Sequence, residues 1–287
     1  MGLLHQVALV SEASNPPVSS EELTEVSAAI QKQVARDLAQ HWAVEATVDP
    51  FSDLAHVPPG YWPVVIRDDI GRDEAGIHCD ENQQPFALVT SGPGWSVVAS
   101  HEILEMLVDP FGNRLVAGDS MEPGQGRVEY LVEVADPVGA TRYTCNGIPV
   151  ADFITPQYFD PVGGGAGVYS FTQAVTTPRD VLRGGYLTWH DPIADEWWQR
   201  HWFDTNQPSP VNRKLGALPR GDCTLRAMID NQTRKLWRAD EPCPMFKNVE
   251  GDRTQARRHE AVAESSRQKA KRLRVHIDRL CSKRPSP

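Results

Sequence analysis

Residues 100–110, SHEILEMLVDP, contain side chains with the types and spacing of a metal site. In a helix of about 3.6 residues per turn, His101 and Glu105 lie one turn apart on one face, with Glu102 beside them. Imidazole nitrogen and carboxylate oxygen both bind zinc, and a further carboxylate can take a proton from water. The spacing predicts metal-assisted hydrolysis, with His101 and Glu105 as metal ligands and Glu102 as the catalytic base.

Two acidic patterns follow this segment, Asp109-Pro110 and the Glu-Val-Ala-Asp of residues 133–136. Together with the first pattern they resemble the HExxE and ExxD motifs of zincin-like proteins related to the plant EXORDIUM, or phosphate-induced, family. The layout is also similar to that of gluzincin metallopeptidases, in which a metal-binding helix precedes a glutamate ligand and an aspartate that orients a ligand. The resemblance covers residues 76–160 and implies a zinc peptidase.

The resemblance implies Glu133 as the third metal ligand, with Asp136 hydrogen-bonded to the imidazole of His101. Glu129 is the alternative third ligand. Asp109 lies eight positions after His101, about 12 Å along a straight helix, so it should not share the ion. We expect Asp109 to end the helix or to hydrogen-bond a group around the metal.

Two carboxylates and one imidazole leave a Zn²⁺ site nearly neutral, so Mn²⁺ or Ca²⁺ is an alternative to the expected Zn²⁺. A peptide or protein substrate could add to residues 86–90 as an extra strand. Tyr186, or alternatively His190, is the candidate donor to a developing oxyanion. The competing hypothesis is a non-catalytic binding or structural protein of the same fold, with residues 163–204 as its interaction surface.

Apolar periodicity predicts the elements that must position these residues. Residues 6–11 indicate a buried strand, and Leu23, Val26, Ile30, Val34 and Leu38 recur at helical spacing after a Ser-Ser-Glu-Glu start. Two extended runs follow, and the stretch from Gly76 to Trp95 reads as two strands joined by a polar turn. Pro110 should end the helix that carries His101.

These elements predict an α+β, zincin-like fold in which a mixed sheet packs on the metal-binding helix. We expect a metallohydrolase domain over residues 1–204, with an irregular, aromatic β segment near its end. An irregular extension should span 205–250, and a basic helical or partly disordered tail 251–287. The tail carries eleven Lys and Arg against four Asp and Glu, a local charge of +7.

The net charge of −9 therefore places −16 on the first 250 residues, which argues against nucleic acid as the main ligand. The basic tail is the exception, because its positive charge could bind an anionic partner. The start of the chain lacks the pattern of a signal peptide, no apolar run is long enough to cross a membrane, and five scattered cysteines indicate reduced thiols. We expect a cytoplasmic protein.

Simpler interpretations stay open for several of these residues. His101 and Glu105 form an i, i+4 pair that would also support a helix without any metal. His78 suits a satisfied strand residue, and His201 suits aromatic packing. The adjacent Glu102 and Glu105 do not suit a glycosidase pair, which must face each other across a cleft. The sequence contains no GxGxxG, P-loop or GxSxG pattern.

Overall fold

The chain opens with a strand, a long helix and two further strands, as the sequence predicts. This computed structural model describes residues 4–71, 74–81, 83–159, 167–203, 206–218 and 225–237. Helix α1 (Ser20–Lys32) begins after Ser19, whose hydroxyl accepts a hydrogen bond from the Glu22 N–H at 3.1 Å. A π-helical stretch, Gln33–Leu38, joins α1 to α2 (Ala39–Trp42). The predicted apolar face is buried at Leu23, Val26, Ile30, Val34 and Leu38.

A five-stranded mixed sheet occupies the first third of the chain. Its strands are β1 (Leu4–Ser11), β2 (Glu45–Phe51), β3 (Trp62–Arg67), β4 (Gly76–Glu81) and β5 (Gln84–Thr90). They lie in the order β2-β1-β3-β5-β4, with every neighbouring pair parallel except β4 and β5. The predicted hairpin of β4 and β5 is confirmed.

The edge of this sheet differs from the prediction. Residues 86–90 lie in β5, which pairs with β3 on one side and β4 on the other. The chain turns back at the end of β4, so β4 is the edge strand, and it packs against the helix that carries His101. A substrate that adds as an extra strand would therefore pair with β4.

Among the described residues after residue 110, seven strands form an antiparallel sheet and a small hairpin. The strands are β6 (Leu115–Asp119), β7 (Arg127–Leu131), β8 (Arg142–Cys145), β9 (Ile148–Ala151), β10 (Tyr186–Asp191), β11 (Glu196–His201) and β12 (Val211–Gly216). The second sheet has the order β12-β11-β10-β7-β6, and β8 pairs with β9. The aromatic segment that we expect to be irregular thus contains two regular strands. Trp189 and Trp197 are buried in them.

Helix α3 (Trp95–Val108) carries the His-Glu-x-x-Glu pattern and is enclosed on several sides. It begins after Gly94, whose φ of +81° suits glycine, and ends at Asp109 as predicted. It packs on β4, β5 and β9. The Ser100 hydroxyl accepts a hydrogen bond from the Ala151 N–H at 2.6 Å, which joins α3 to the hairpin. This enclosure explains why α3 buries polar as well as apolar side chains.

Helix α4 (Leu225–Trp237) returns the chain to the second sheet. Ile229 packs there with Leu131, Trp197 and Leu215. Residues 205–250, expected to be an irregular extension, therefore include β12 and α4. The predicted basic tail of residues 251–287 lies outside the described residues. The described fold is mixed α+β and rich in sheet, and none of its helices has the length and apolar character needed to cross a membrane.

Candidate metal centre

Two histidines and four carboxylates meet where α3 faces β4 and the segment that follows β7. Five of the six are buried, and the side chain of the sixth, His101, is 18% exposed. The members are His78 from β4, His101, Glu102 and Glu105 from α3, and Glu133 and Asp136 from the segment after β7. The 3-10 turn Asp136–Val138 begins at the last of these residues. We call these six residues the acidic cluster.

One half of the acidic cluster surrounds His101. Its Nε2 lies 3.3 Å from Glu105 Oε1 and 3.2 Å from Asp136 Oδ1. Glu105 Oε1 also accepts hydrogen bonds from the N–H groups of Ala135, at 3.2 Å, and Asp136, at 3.1 Å. These backbone donors fix the Glu105 carboxylate, and each of the three side chains offers one ligand atom within 4.8 Å of the others.

The other half of the cluster surrounds His78. Its Nδ1 lies 3.4 Å from Glu105 Oε2 and 3.6 Å from Glu102 Oε2. The position of Glu102 depends on Gly76, because a Cβ there would lie 2.5 Å from Glu102 Oε1. A larger residue at position 76 would therefore displace the Glu102 carboxylate.

The guanidinium of Arg226, on α4, contacts the cluster from the side of the second sheet. Arg226 Nη1 lies 2.5 Å from Glu133 Oε1 and 3.1 Å from Asp136 Oδ2. Arg226 Nη2 donates a hydrogen bond of 2.5 Å to the Tyr186 hydroxyl, and its Nε pairs with Asp230 at 2.9 Å. Arg226 thus supplies a fixed positive charge beside two of the carboxylates.

The carboxylates control the protonation of both histidines. Burial alone lowers the pKa of His78, but the charge of Glu133 and the contacts with Glu102 and Glu105 outweigh it and raise the pKa well above 6.5. Burial also lowers the pKa of His101, but Glu105 and Asp136 outweigh it and raise this pKa well above 6.5. Without a metal ion, the surrounding carboxylates therefore favour the protonated form of both imidazoles.

The carboxylates themselves divide into two kinds. Burial favours the protonated form of Glu105, yet the charge and hydrogen bonding of His101 lower the pKa of Glu105 well below its ordinary value. Burial raises the pKa of Glu102, with His78 acting in the opposite sense. Burial also raises the pKa of Glu133 well above its ordinary value, although Arg226 lowers it. Glu105 is thus the most firmly ionised of the three.

The structure brings together most of the residues singled out from the sequence. His101, Glu102 and Glu105 meet as expected, but Asp136 lies with them at ligand spacing, whereas Glu133 faces Arg226 and lies 3.8 Å from His78 Nε2. The geometry therefore favours Asp136 over Glu133 as the third ligand of the His101 group. The expected contact of Asp136 with the His101 imidazole is present at 3.2 Å, whereas Glu133 pairs with Arg226.

The remaining candidates lie around the cluster or away from it. The Asp109 carboxylate accepts a hydrogen bond from the Arg114 N–H at 2.7 Å, so it stabilises the turn after α3. Glu129 pairs with His190 at 3.0 Å on the second sheet, which places the alternative ligand and the alternative oxyanion donor together there. Burial raises the pKa of Tyr186 well above 10, so its hydroxyl stays protonated beside Arg226.

The sequence pattern suits a structural role for His78 and gives no signal for Arg226 or Gly76, although His78 and Arg226 both contact carboxylates of the cluster. A histidine one residue before Cys79 in an alternating strand gives no signal that it faces a helix more than twenty residues later. Arg226 lies in a stretch without clear apolar periodicity. Pairing a lone arginine with buried carboxylates requires the tertiary structure, because the sequence separation from Glu133 is 93 residues.

Comparisons of the chain with protein-family models, with curated proteins and with solved structures yield no match.

Proposed function

We propose that this chain is a metal-dependent hydrolase whose ion is held by His101, Glu105 and Asp136. One observation carries the proposal, the spacing of the ligand atoms. Two ligands of a tetrahedral ion at about 2.1 Å lie about 3.4 Å apart. The distances from His101 Nε2, 3.3 Å and 3.2 Å, are near that value, whereas charge-assisted N–H···O hydrogen bonds are about 2.7–2.9 Å.

The buried polar atoms support the same conclusion. Within the described residues, Asp136 Oδ2 and Glu105 Oε2 are buried and form no hydrogen bond of good geometry, although Arg226 Nη1 lies 3.1 Å from the first and His78 Nδ1 lies 3.4 Å from the second. Buried carboxylate oxygens are costly to leave without a partner, and a cation is the usual partner for several of them at once. The donor set of one imidazole and two carboxylates suits Zn²⁺, and Mn²⁺ is the alternative.

The chemistry that these residues support is attack of water on a polarised carbonyl. A divalent ion in this position supplies Lewis-acid polarisation. Glu102, next to His101 on α3, accepts the proton of the attacking water and passes it to the leaving group. Burial raises the pKa of Glu102 above its ordinary value, which makes its carboxylate a stronger base for the first step and a usable acid for the second. The protonated Tyr186 hydroxyl is the donor on the side of the second sheet.

A peptide or protein is the substrate class that the fold favours. β4 is an edge strand, and His78 in its middle faces α3 and the cluster. An extended chain that pairs with β4 would therefore run alongside the metal ligands. A mixed sheet whose edge strand flanks the metal helix is also the arrangement that we expect of a zincin-like fold.

The proposal is tested with protein purified without added metal, then incubated with Zn²⁺ or Mn²⁺. We expect the wild type to hold metal by elemental mass spectrometry and to cleave members of a peptide library. His101→Ala should lose most of the metal. Glu102→Gln should keep the metal but lose at least about 100-fold in cleavage rate, because it removes a general base. The exposed Glu25→Gln on α1 is the matched control.

A Glu102→Gln variant that cleaves at the wild-type rate would contradict the role of Glu102. Wild-type protein that binds neither ion would contradict the metal site itself. Metal binding without cleavage of any peptide would instead favour the binding-protein hypothesis. Circular dichroism and thermal unfolding of each variant distinguish loss of the site from loss of the fold.

A further inference from the structure

The Glu105 carboxylate faces two groups of ligand atoms at once. Its Oε1 lies 3.3 Å from His101 Nε2 and accepts the two backbone hydrogen bonds described above. Its Oε2 points away from these donors and lies 3.4 Å from His78 Nδ1. The two oxygens of one carboxylate therefore belong to different halves of the cluster.

The half around His78 has the spacing of a second cation site. His78, Glu102 and Glu105 each offer a ligand atom within 4.8 Å of the other two, and all three residues are buried. His78 Nδ1 lies 3.6 Å from Glu102 Oε2, again near the tetrahedral edge of about 3.4 Å. Within the described residues, Glu105 Oε2 is a fully buried acceptor that forms no hydrogen bond of good geometry, and it points into this group.

The charge of the cluster exceeds what one divalent ion can neutralise. Four carboxylates belong to it, and among the described residues its ion pairs include one fixed cation, Arg226, which is shared with Asp230. With both imidazoles neutral, as metal ligation requires, and Arg226 paired with Glu133, the carboxylates of Glu102, Glu105 and Asp136 carry three negative charges when all are ionised. One divalent ion leaves a buried negative charge, which is unfavourable in a region of low dielectric.

We propose that His78, Glu102 and Glu105 form a second divalent-cation position, bridged to the first by the Glu105 carboxylate. Occupancy of this position uses Glu102 Oε2 as a ligand. It therefore takes from the hydrolase the carboxylate that accepts the proton of water. The second ion inhibits at metal concentrations above those that fill the first position. This inference rests on the proposed metal site of His101, Glu105 and Asp136.

Calorimetric titration of metal-free protein with Zn²⁺, and separately with Mn²⁺, tests the second position. We expect two ions per chain in the wild type and one in His78→Gln, the first ion being retained. The exposed His56→Gln is the matched control and should bind two. One ion in both wild type and His78→Gln would overturn the second position and leave the proposed function intact. No ion in the wild type would overturn both.

A measurement on the wild type alone keeps the test decisive if His78→Gln does not fold. Two Mn²⁺ ions that share a carboxylate couple magnetically, so the electron paramagnetic resonance spectrum should change from an isolated six-line signal at one equivalent to a coupled signal at two. An isolated signal at both loadings overturns the bridged site. On a peptide that the wild type cleaves, the rate should fall as the second equivalent binds, and an unchanged rate overturns the inhibitory role.

Discussion

Two buried histidine environments in this molecule have opposite electrostatics. In the acidic cluster, the carboxylates raise the pKa values of His78 and His101 well above 6.5 in spite of burial. At the end of β11, His201 is as buried as His78 but stacks on Phe203 with ring centroids 5.4 Å apart. There burial lowers the pKa of His201 to about 4, with Arg213 acting in the same direction.

The difference shows which physical effect decides the charge of a buried imidazole. Desolvation acts on all three histidines and disfavours the cation in each case. In the cluster, several carboxylates lie within 4 Å of an imidazole, and their attraction exceeds the desolvation penalty. At His201 the penalty prevails. The cluster thus favours positive charge, whereas the surroundings of His201 disfavour it.

The largest effect on stability is expected from removing the fixed cation of the cluster. Arg226→Gln leaves Glu133 and Asp136 buried without their ion-pair partner, and we expect it to lower the free energy of unfolding of the metal-free protein by about 3–5 kcal/mol. Adding a divalent ion should recover part of that loss. Chemical denaturation with and without metal measures both quantities.

The matched control is Arg127→Gln, because Arg127 and its partner Asp119 are exposed and 3.5 Å apart. It should change the free energy of unfolding by less than about 1 kcal/mol. Equal losses for the two arginine variants would mean that the cluster does not depend on Arg226.

The second prediction concerns His201 and the dependence of the free energy of unfolding on pH. The pKa of His201 is about 4 in the folded state against about 6.5 unfolded, so as pH falls from 6.5 to 4 only the unfolded state takes up the proton. This contribution should lower the free energy of unfolding by about 2 kcal/mol at pH 5 and by about 3 kcal/mol below pH 4. His201→Gln should remove it.

Urea denaturation of wild type and His201→Gln between pH 8 and pH 4 measures the effect. The difference between their free energies of unfolding should shift by the amounts given above as pH falls. Parallel pH curves for the two proteins would show that burial does not suppress protonation of His201.

The smallest effect is expected from a neutral hydrogen bond on another face of α3. Ser100→Ala leaves the buried Ala151 N–H without its acceptor and should lower the free energy of unfolding by about 1–2 kcal/mol. Ser96→Ala removes a bond to the same hairpin but leaves only the Pro149 carbonyl unpaired, so its loss should be smaller. Thermal unfolding compares the pair, and an equal or reversed order would contradict this ranking.

The sequence predicts local elements well because their signals are local. The apolar spacing of α1, the break at Pro110 and the polar turn between β4 and β5 each depend on neighbouring residues. The edge position of β4 could not be predicted, because it depends on β3 pairing with β5 rather than with β4. β12 and α4 could not be predicted for the same reason. Their regular structure depends on long-range contacts, of β12 with β11 and of α4 with the second sheet.

The candidate site shows the same division between local and long-range information. His101, Glu102 and Glu105 follow from helical spacing alone. The choice between Glu133 and Asp136 depends on how the chain turns after β7, where the Asp136 N–H approaches Glu105 at 3.1 Å. His78 and Arg226 join through strand pairing and helix packing, which no local pattern specifies.

Arg226 is synthesised after all six residues of the acidic cluster. It follows His101 by 125 residues in the chain. At about 5–20 residues per second, a ribosome adds Arg226 about 6–25 s after His101. From the addition of Asp136 until that of Arg226, the nascent chain contains the histidines and carboxylates of the cluster without their guanidinium partner, so divalent ions or protons can neutralise the carboxylates first.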